Sequence, residues 1–381
     1  VRVAYICADA GIPVFGQKGC SIHVQEVIRA LQKQGCEVDL FATRIGGIAP
    51  ADLANVVVHQ LPAIPKVEKE IREQVALGIN YNLRLDLQKL GNFHLIYERY
   101  SLWSYSAMEF AKEKGIPGLL EVNSPLIAEQ AKHRGLIDFD NAEKVAHRVF
   151  QAATALIAVS EEVKNYLLNY VDSSKVYVIP NGVNPERFSK IKNYTKSETF
   201  TVGFVGTLKP WHGLPILTEA FVQLHQKVPQ SRLLIVGDGP EREHLEVELS
   251  TRGLDAYTQF TGAVNPDQVP GLLAAMDVAV APYPAQADFY FSPLKVYEYM
   301  AAGLPVVASK IGQLVDLIEP VVNGILCPPG DAIALAEALE KLWRSPQLRH
   351  SLGQAARQKV MQNHTWDAIA QQILQIAKVR R

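Results

Sequence analysis

The chain is short of cysteine, of excess charge of either sign, and of long apolar runs. Four cysteines occur in 381 residues, at positions 7, 20, 36 and 327. They form no C-x-x-C pair and no Cys/His metal spacing, which argues against a disulfide scaffold or a zinc module. Free thiols in a reducing compartment are expected, with Cys7 ending an apolar run in the core. Lysine and arginine number 38, aspartate and glutamate 39, for a formal net charge of -1. That balance excludes a global electrostatic drive toward nucleic acid. No apolar run reaches ~18 residues, so no transmembrane helix is expected. The longest candidate, residues 272–283, is interrupted by Asp277. The opening VRVAYICAD has a strand pattern rather than a charged head and apolar segment, so no signal peptide is expected.

What is present is a rich supply of core. Hydrophobic residues make 48% and charged residues 20%, which excludes bulk disorder. At ~150 residues per domain the length suits two to three domains. Apolar β-rich runs alternate with helical patterns, which predicts an α/β fold of parallel sheets covered by helices on both faces. Strands are expected at 3–7, 38–42, 95–97, 118–122, 155–159 and 176–179, then at 200–205, 232–236, 259–262, 278–281, 306–309 and 324–327. Val24, Val27, Ile28 and Leu31 recur at helical spacing and are closed by Gly35. The segment IPNGVNPERF, residues 179–188, holds an Asn-Gly turn and two prolines and leads into the polar KIKNYTKSET. Two doubly wound, Rossmann-like domains are therefore predicted, 1–180 and 199–365, joined by a linker at 181–198. In such sheets ligands sit beyond the carboxyl ends of the strands, so two in tandem are expected to face each other across a cleft.

Five segments carry candidate chemistry. In DAGIPVFGQKGCSIH, residues 9–23, Gly16 and Gly19 permit close backbone approach, and a helix is expected to begin near Ser21. Lys18 adds positive charge there, and His23 is either a ligand contact or a partly buried histidine. In VGDGPEREHL, residues 236–245, Gly237 and Asp238 turn the chain at a strand end. In FSPLKVYEYMAAGLPVVAS, residues 291–309, Ser292 is expected to cap a helix that starts at Pro293. The free N–H groups near Leu294 and Lys295, with the Lys295 ammonium, make a diphosphate seat. Glu298 one turn on suits a ribose diol, the alternative being an exposed Lys295–Glu298 pair. In GFVGTLKPWHG, residues 203–213, Gly206 flanks a loop carrying Lys209 and His212, and His212 serves phosphate only if an anion raises its pKa. Finally Arg99, Glu121 and Asn123 sit at expected strand ends of the first domain, with buried Arg–Glu pairing as the alternative.

Taken together these segments resemble glycosyltransferases of family 4, from VRVAYICAD through IPNGVNPERF and IVGDGPERE to NGILCPPGD and HTWD. The likeness is strongest in the K-G-x-S loop, the L-E-V-N-S-P-L segment and the S-P-L-K-x-Y-E helix start. The resemblance implies the GT-B fold, a nucleotide-sugar donor linked to UDP or GDP, retention of anomeric configuration, no cofactor and no obligatory metal. It also implies a C-terminal helix, 366–381, crossing back onto the first domain. Gly16 and Gly19 become neighbours of the donor diphosphate and the acceptor, Glu298 the ribose ligand, and Pro293 and Leu294 the phosphate-facing backbone, though proline has no N–H to give.

Three positions depart from the family pattern. Tyr290, with Asp288 close by, stands where a glutamate usually approaches the transferred sugar. Thr207 and His212 stand where arginine and lysine are common, so Lys209 and Lys295 supply the charge. Asn123 stands where a histidine is often found. These departures bear on sugar specificity and, less, on activity. The resulting expectation is a hexosyltransferase with Lys209, Lys295, Asn123 and Glu121 as catalytic candidates. The acceptor would be a glycan, a lipid-linked molecule or a small molecule. The expected location is cytoplasmic, with peripheral contact at the inner membrane face through residues 66–90 and the terminal KVRR as a further option. Two other readings stay open: a nucleotide-sugar epimerase of the same fold, and a catalytically silent sugar-nucleotide binder acting as a partner subunit.

Overall fold

Runs of aliphatic and β-branched residues without polar alternation need cover on both faces, and parallel strands between helices provide it. The computed structural model describes residues 1–189 and 199–378. It divides into two compact units, Val1–Asn181 with Tyr290–Ser292 and Trp366–Arg381, and Gly182–Phe289 with Pro293–Thr365. The first unit contains β1 (Arg2–Cys7), β2 (Glu37–Ala42), β3 (Val57–Gln60), β4 (Leu95–Arg99), β5 (Gly118–Val122), β6 (Ala155–Ala158) and β7 (Val176–Val178). They form one parallel sheet in the order β3-β2-β1-β4-β5-β6-β7. The second unit contains β8 (Phe200–Val205), β9 (Ser231–Val236), β10 (Thr258–Phe260), β11 (Val278–Ala281), β12 (Val306–Ser309) and β13 (Ile325–Cys327). Its parallel order is β10-β9-β8-β11-β12-β13. Strand order reverses between β1 and β4 in one sheet and between β8 and β11 in the other. Loops leaving the carboxyl ends of those strands diverge there and open a crevice.

Each sheet has its own core. Tyr5 and Tyr97 are fully buried with ring centres 5.3 Å apart in the first unit, and Phe204 and Phe221 are fully buried in the second. Cys7 is buried, as its apolar setting suggested, and burial pushes its thiol up to about 12. Cys20 and Cys327 likewise form no disulfide.

Several expectations need correction. β3 escaped the sequence reading because an edge strand buries little: Val57 and Val58 are 54% and 37% exposed. The helix expected near Ser21 begins two residues earlier and spans Gly19–Lys33, with extended Lys18 before it. Ser292 does not cap a helix. Pro293 precedes the helix Leu294–Ala301, and the Ser292 hydroxyl instead accepts the Asn181 N–H at 3.0 Å. Gly182–Ser189, expected in the linker, belong to the second unit, where the Val183 N–H donates to the His364 carbonyl at 2.9 Å. Tyr290–Ser292 belong to the first unit, where the Ser160 hydroxyl donates to the Tyr290 carbonyl at 2.9 Å. Linker residues 190–198 and the last residues of KVRR, 379–381, lie outside the described residues. The helix Trp366–Ile376 packs on Gly19–Lys33, with the Trp366 and His23 rings 5.0 Å apart.

Candidate functional site

In the second unit the loops after β8 and β9 and the start of the helix Leu294–Ala301 converge. Gly206 has φ +146° and Gly237 φ +134°, values that favour glycine. A Cβ on Gly237 would lie 2.1 Å from the Gly206 carbonyl oxygen, and one on Gly206 would lie 2.9 Å from Lys295 Nζ. The two glycines therefore let the strand ends close against each other and against the lysine. Lys295 Nζ lies 4.2 Å from the Phe204 ring centre and 5.7 Å from that of Tyr283. Its ammonium is shielded from solvent and has no hydrogen-bond partner. Burial pulls its pKa down to about 7. The exposed Lys295–Glu298 pair raised by the sequence is not formed.

Glu298 instead meets Arg187, whose Nη1 donates to Oε1 at 2.6 Å while Nη2 donates to the Pro266 carbonyl at 2.8 Å. Arg187 was missed in the sequence because its segment read as a domain boundary; the basic residue inside PERF was the available signal. Lys209 Nζ sits 5.5 Å from the Trp211 ring centre. His212 is not the cation the sequence allowed for. Burial, then the charges of Lys295 and Lys209, push the imidazole down to about 3, and Nδ1 lies 2.6 Å from the Thr207 carbonyl oxygen. Asp238 spends its carboxylate locally, accepting the Gly239 N–H at 2.8 Å and facing Arg242 at 3.4 Å. Asp288 is exposed in this unit. Gly206, Lys209, His212, Gly237, Leu294 and Lys295 thus share one region with buried, unpaired positive charge. Such a region suits an anion.

In the first unit the glycine loop is held from below. Gln25 Nε2 donates to the carbonyls of Val14 and Gly16 at 2.7 and 3.0 Å. A Cβ on Gly16 would lie 2.8 Å from the Pro13 ring. Packing alone therefore demands this glycine. Lys18 and Gly19 are exposed.

Glu121, at the end of β5, is a buried hub rather than an open carboxylate. Oε1 lies 2.7 Å from His23 Nε2 and accepts from Arg99 Nη1 at 3.1 Å and Asn123 Nδ2 at 2.8 Å. Oε2 accepts the Tyr97 hydroxyl. Burial alone would raise this carboxyl, but the charge and hydrogen bond of His23, with Arg99 and Tyr97, hold it at about 2. A carboxylate that acidic and that fully engaged is a poor proton acceptor. Arg99 and Asn123 share this structural role. Tyr290 is likewise engaged, its hydroxyl donating to Glu129 Oε2 at 3.1 Å.

A cavity of about 560 Å³ opens beyond the carboxyl ends of β1, β2 and β4 in the same unit. Its walls include Asp9, Lys18, Arg44, Ile79, Leu83 and Trp103. Of these the sequence reading had singled out only Lys18, because the others lie in four separate segments that only the fold gathers. No helix among the described residues is long and apolar enough to cross a membrane. No group of three or more His, Cys, Asp or Glu able to hold a metal ion occurs among the described residues.

Two family profiles match the chain. Residues 18–187 match one described as Glycosyltransferase Family 4, and residues 199–345 one described as Glycosyl transferases group 1. The chain is 26% identical over 390 residues to a D-inositol 3-phosphate glycosyltransferase of Kribbella flavida, covering 93% of this chain and 89% of that one. Among solved structures, a sucrose-phosphate synthase from Thermosynechococcus elongatus matches with a TM-score of 0.78 at 24% identity, over 99% of this chain and 98% of that one. HepE of Anabaena, solved in complex with UDP and glucose, matches with a TM-score of 0.74 at 21% identity, over 99% of each chain.

Proposed function

The chain belongs to glycosyltransferase family 4 and has the GT-B fold, and we propose that it moves a sugar from a UDP- or GDP-linked donor to an acceptor with retention of anomeric configuration. The observation that carries this reading is the buried, unpartnered Lys295 ammonium at the start of the helix Leu294–Ala301. A diphosphate supplies the missing partner, and the first N–H groups of that helix point the same way as its positive dipole end. Glu298, held by Arg187, has a second oxygen for the ribose diol.

Chemically, the bond between the sugar's anomeric carbon and the leaving phosphate oxygen breaks while the acceptor oxygen bonds to that carbon. Negative charge grows on the departing diphosphate, so a preorganised cation helps the transition state more than the ground state. The leaving phosphate oxygen takes the acceptor hydroxyl proton on the same face of the sugar. Glu121, fully engaged elsewhere, is not needed as a base. Asn123 is then compatible with turnover in place of histidine. In this reading the first unit binds the acceptor through its cavity.

Replacing Lys295 or Lys209 by alanine is expected to lower kcat by about 100-fold, with a smaller rise in KM, if a donor worth ~2.7 kcal/mol is lost. Steady-state kinetics with candidate nucleotide sugars test this. A change confined to KM would remove these lysines from the chemical step. Epimer formation, or nucleotide-sugar binding without turnover, would overturn the transferase reading.

A further inference from the structure

We infer that the acceptor carries a phosphate group, bound in the first unit's cavity by Arg44, Lys69 and Arg72 with Lys18 at its rim. The inference rests on the reading of that cavity as the acceptor site.

The cavity is lined by five cationic side chains, the four just named and Arg134, and by two carboxylates, Asp9 and Glu73. Both carboxylates are committed to the backbone. Asp9 Oδ1 accepts the Gly11 N–H at 2.7 Å. Glu73 accepts the N–H groups of Ile137 and Asp138 at 3.1 and 2.8 Å, which ties down the loop that closes one side. Arg134 faces Glu129 at 3.5 Å. Lys18, Arg44, Lys69 and Arg72 make no ion pair among the described residues. By contrast Arg2, Arg29, Arg84 and Arg148 of the same unit all pair with carboxylates. In a chain of net charge -1, this concentration of unpaired cations is local.

Position strengthens the argument. Arg44 follows β2, and Lys69 and Arg72 lie in the first turn of the helix Lys69–Leu90. Cations are disfavoured at that end of a helix, and Glu70 in the same turn forms an ion pair with neither of them. The cavity also has apolar lining, from Ile79 and Leu83 further along the same helix and from Trp103. The volume suits a small molecule or the head of a larger one. A phosphate ester fits both kinds of lining, its anion on the arginines and its carbon skeleton on the apolar side chains. Two sources present that chemistry, a soluble sugar or polyol phosphate and the headgroup of a lipid.

The test is binding to the full chain by calorimetry, with glucose 6-phosphate and glycerol 3-phosphate set against glucose and glycerol. Sedimentation with phosphatidylcholine vesicles, with and without phosphatidic acid, forms the second arm. Binding of the soluble esters, weakened by salt, supports a soluble phosphate acceptor. Binding only to the acidic vesicles supports a lipid-borne one. In either case Arg44→Ala combined with Arg72→Ala weakens binding by about 10-fold or more, Arg72→Lys retains part of it, and Lys114→Ala combined with Lys341→Ala, an equal charge change elsewhere, leaves it intact. Thermal midpoints verify that the variants fold, as expected for exposed side chains. Equal binding of neutral and phosphorylated probes, no binding in either arm, or an Arg44/Arg72 variant that binds like the wild type would overturn the inference. UDP and GDP titrated into the same protein separate the two claims, since failure there strikes the donor reading and leaves the phosphate result standing.

Discussion

Two buried ionisable groups, Lys295 and Glu98, illustrate how far environment moves a side chain from its ordinary behaviour. Lys295 has lost water without gaining an acceptor, and its pKa falls to about 7. A bound diphosphate restores the charged form. Nucleotide binding near pH 8 is therefore expected to take up close to one proton, and binding near pH 6 almost none, because the ammonium is already present there. Calorimetry in buffers of different ionisation enthalpy reads this directly. Proton uptake that is the same at both pH values would detach Lys295 from the phosphate.

Glu98 is fully buried on β4, with Oε1 accepting the Ser104 hydroxyl and Oε2 unpartnered. Burial raises its carboxyl from 4.5 to about 7, the Ser104 bond opposing. Between those values the folded chain holds a proton that the unfolded chain has lost. Stability should therefore fall as pH rises from about 4.5 to about 7, then level off. Glu98→Gln, neutral throughout, should remove that part of the slope and stabilise the protein near pH 8. Urea midpoints across this range test it, and superimposable profiles for variant and wild type would contradict the placement.

At the scale of elements, most of the architecture was legible because fully buried parallel strands announce themselves as short apolar runs. β1, β8 and β11 lie where the pattern put them, within a residue. β3 was not, since an edge strand with exposed valines carries no burial pattern. The cap at Ser292 misled for a different reason. Serine before proline is good capping chemistry, but a tertiary contact with Asn181 competes for the same hydroxyl. The glycines and lysines that the second unit gathers were legible as a group; what was not legible was which carboxylate pairs with which cation. Arg187 and Glu298 stand 111 residues apart in sequence. In the proposed reading Arg187 is a positioning residue, acting through Glu298. Glu298→Gln is expected to weaken nucleotide binding by ~1–3 kcal/mol, and Arg187→Ala to act in the same direction. The two share a signature that loss of stability would not produce. The wild type should prefer UDP or GDP over the 2′-deoxy form, and both variants should lose that preference. A variant that keeps it would place the ribose elsewhere.

For the whole molecule, a near-zero net charge hides two separate cationic sites, one in each unit. In the second, a buried lysine without a partner stands at a helix start; in the first, unpaired arginines line a cavity. Composition shows neither, because charge was balanced over the chain while the fold sorted it. The central claim is that charge on the departing diphosphate is met by Lys295, Lys209 and helix N–H groups, with acceptor attack on the same face of the sugar. Proton NMR of the product formed from an α-linked nucleotide sugar in the presence of EDTA tests this most directly. The account predicts undiminished turnover and an α-configured product; a β-configured product, or turnover abolished by EDTA and restored by a divalent metal, would contradict it.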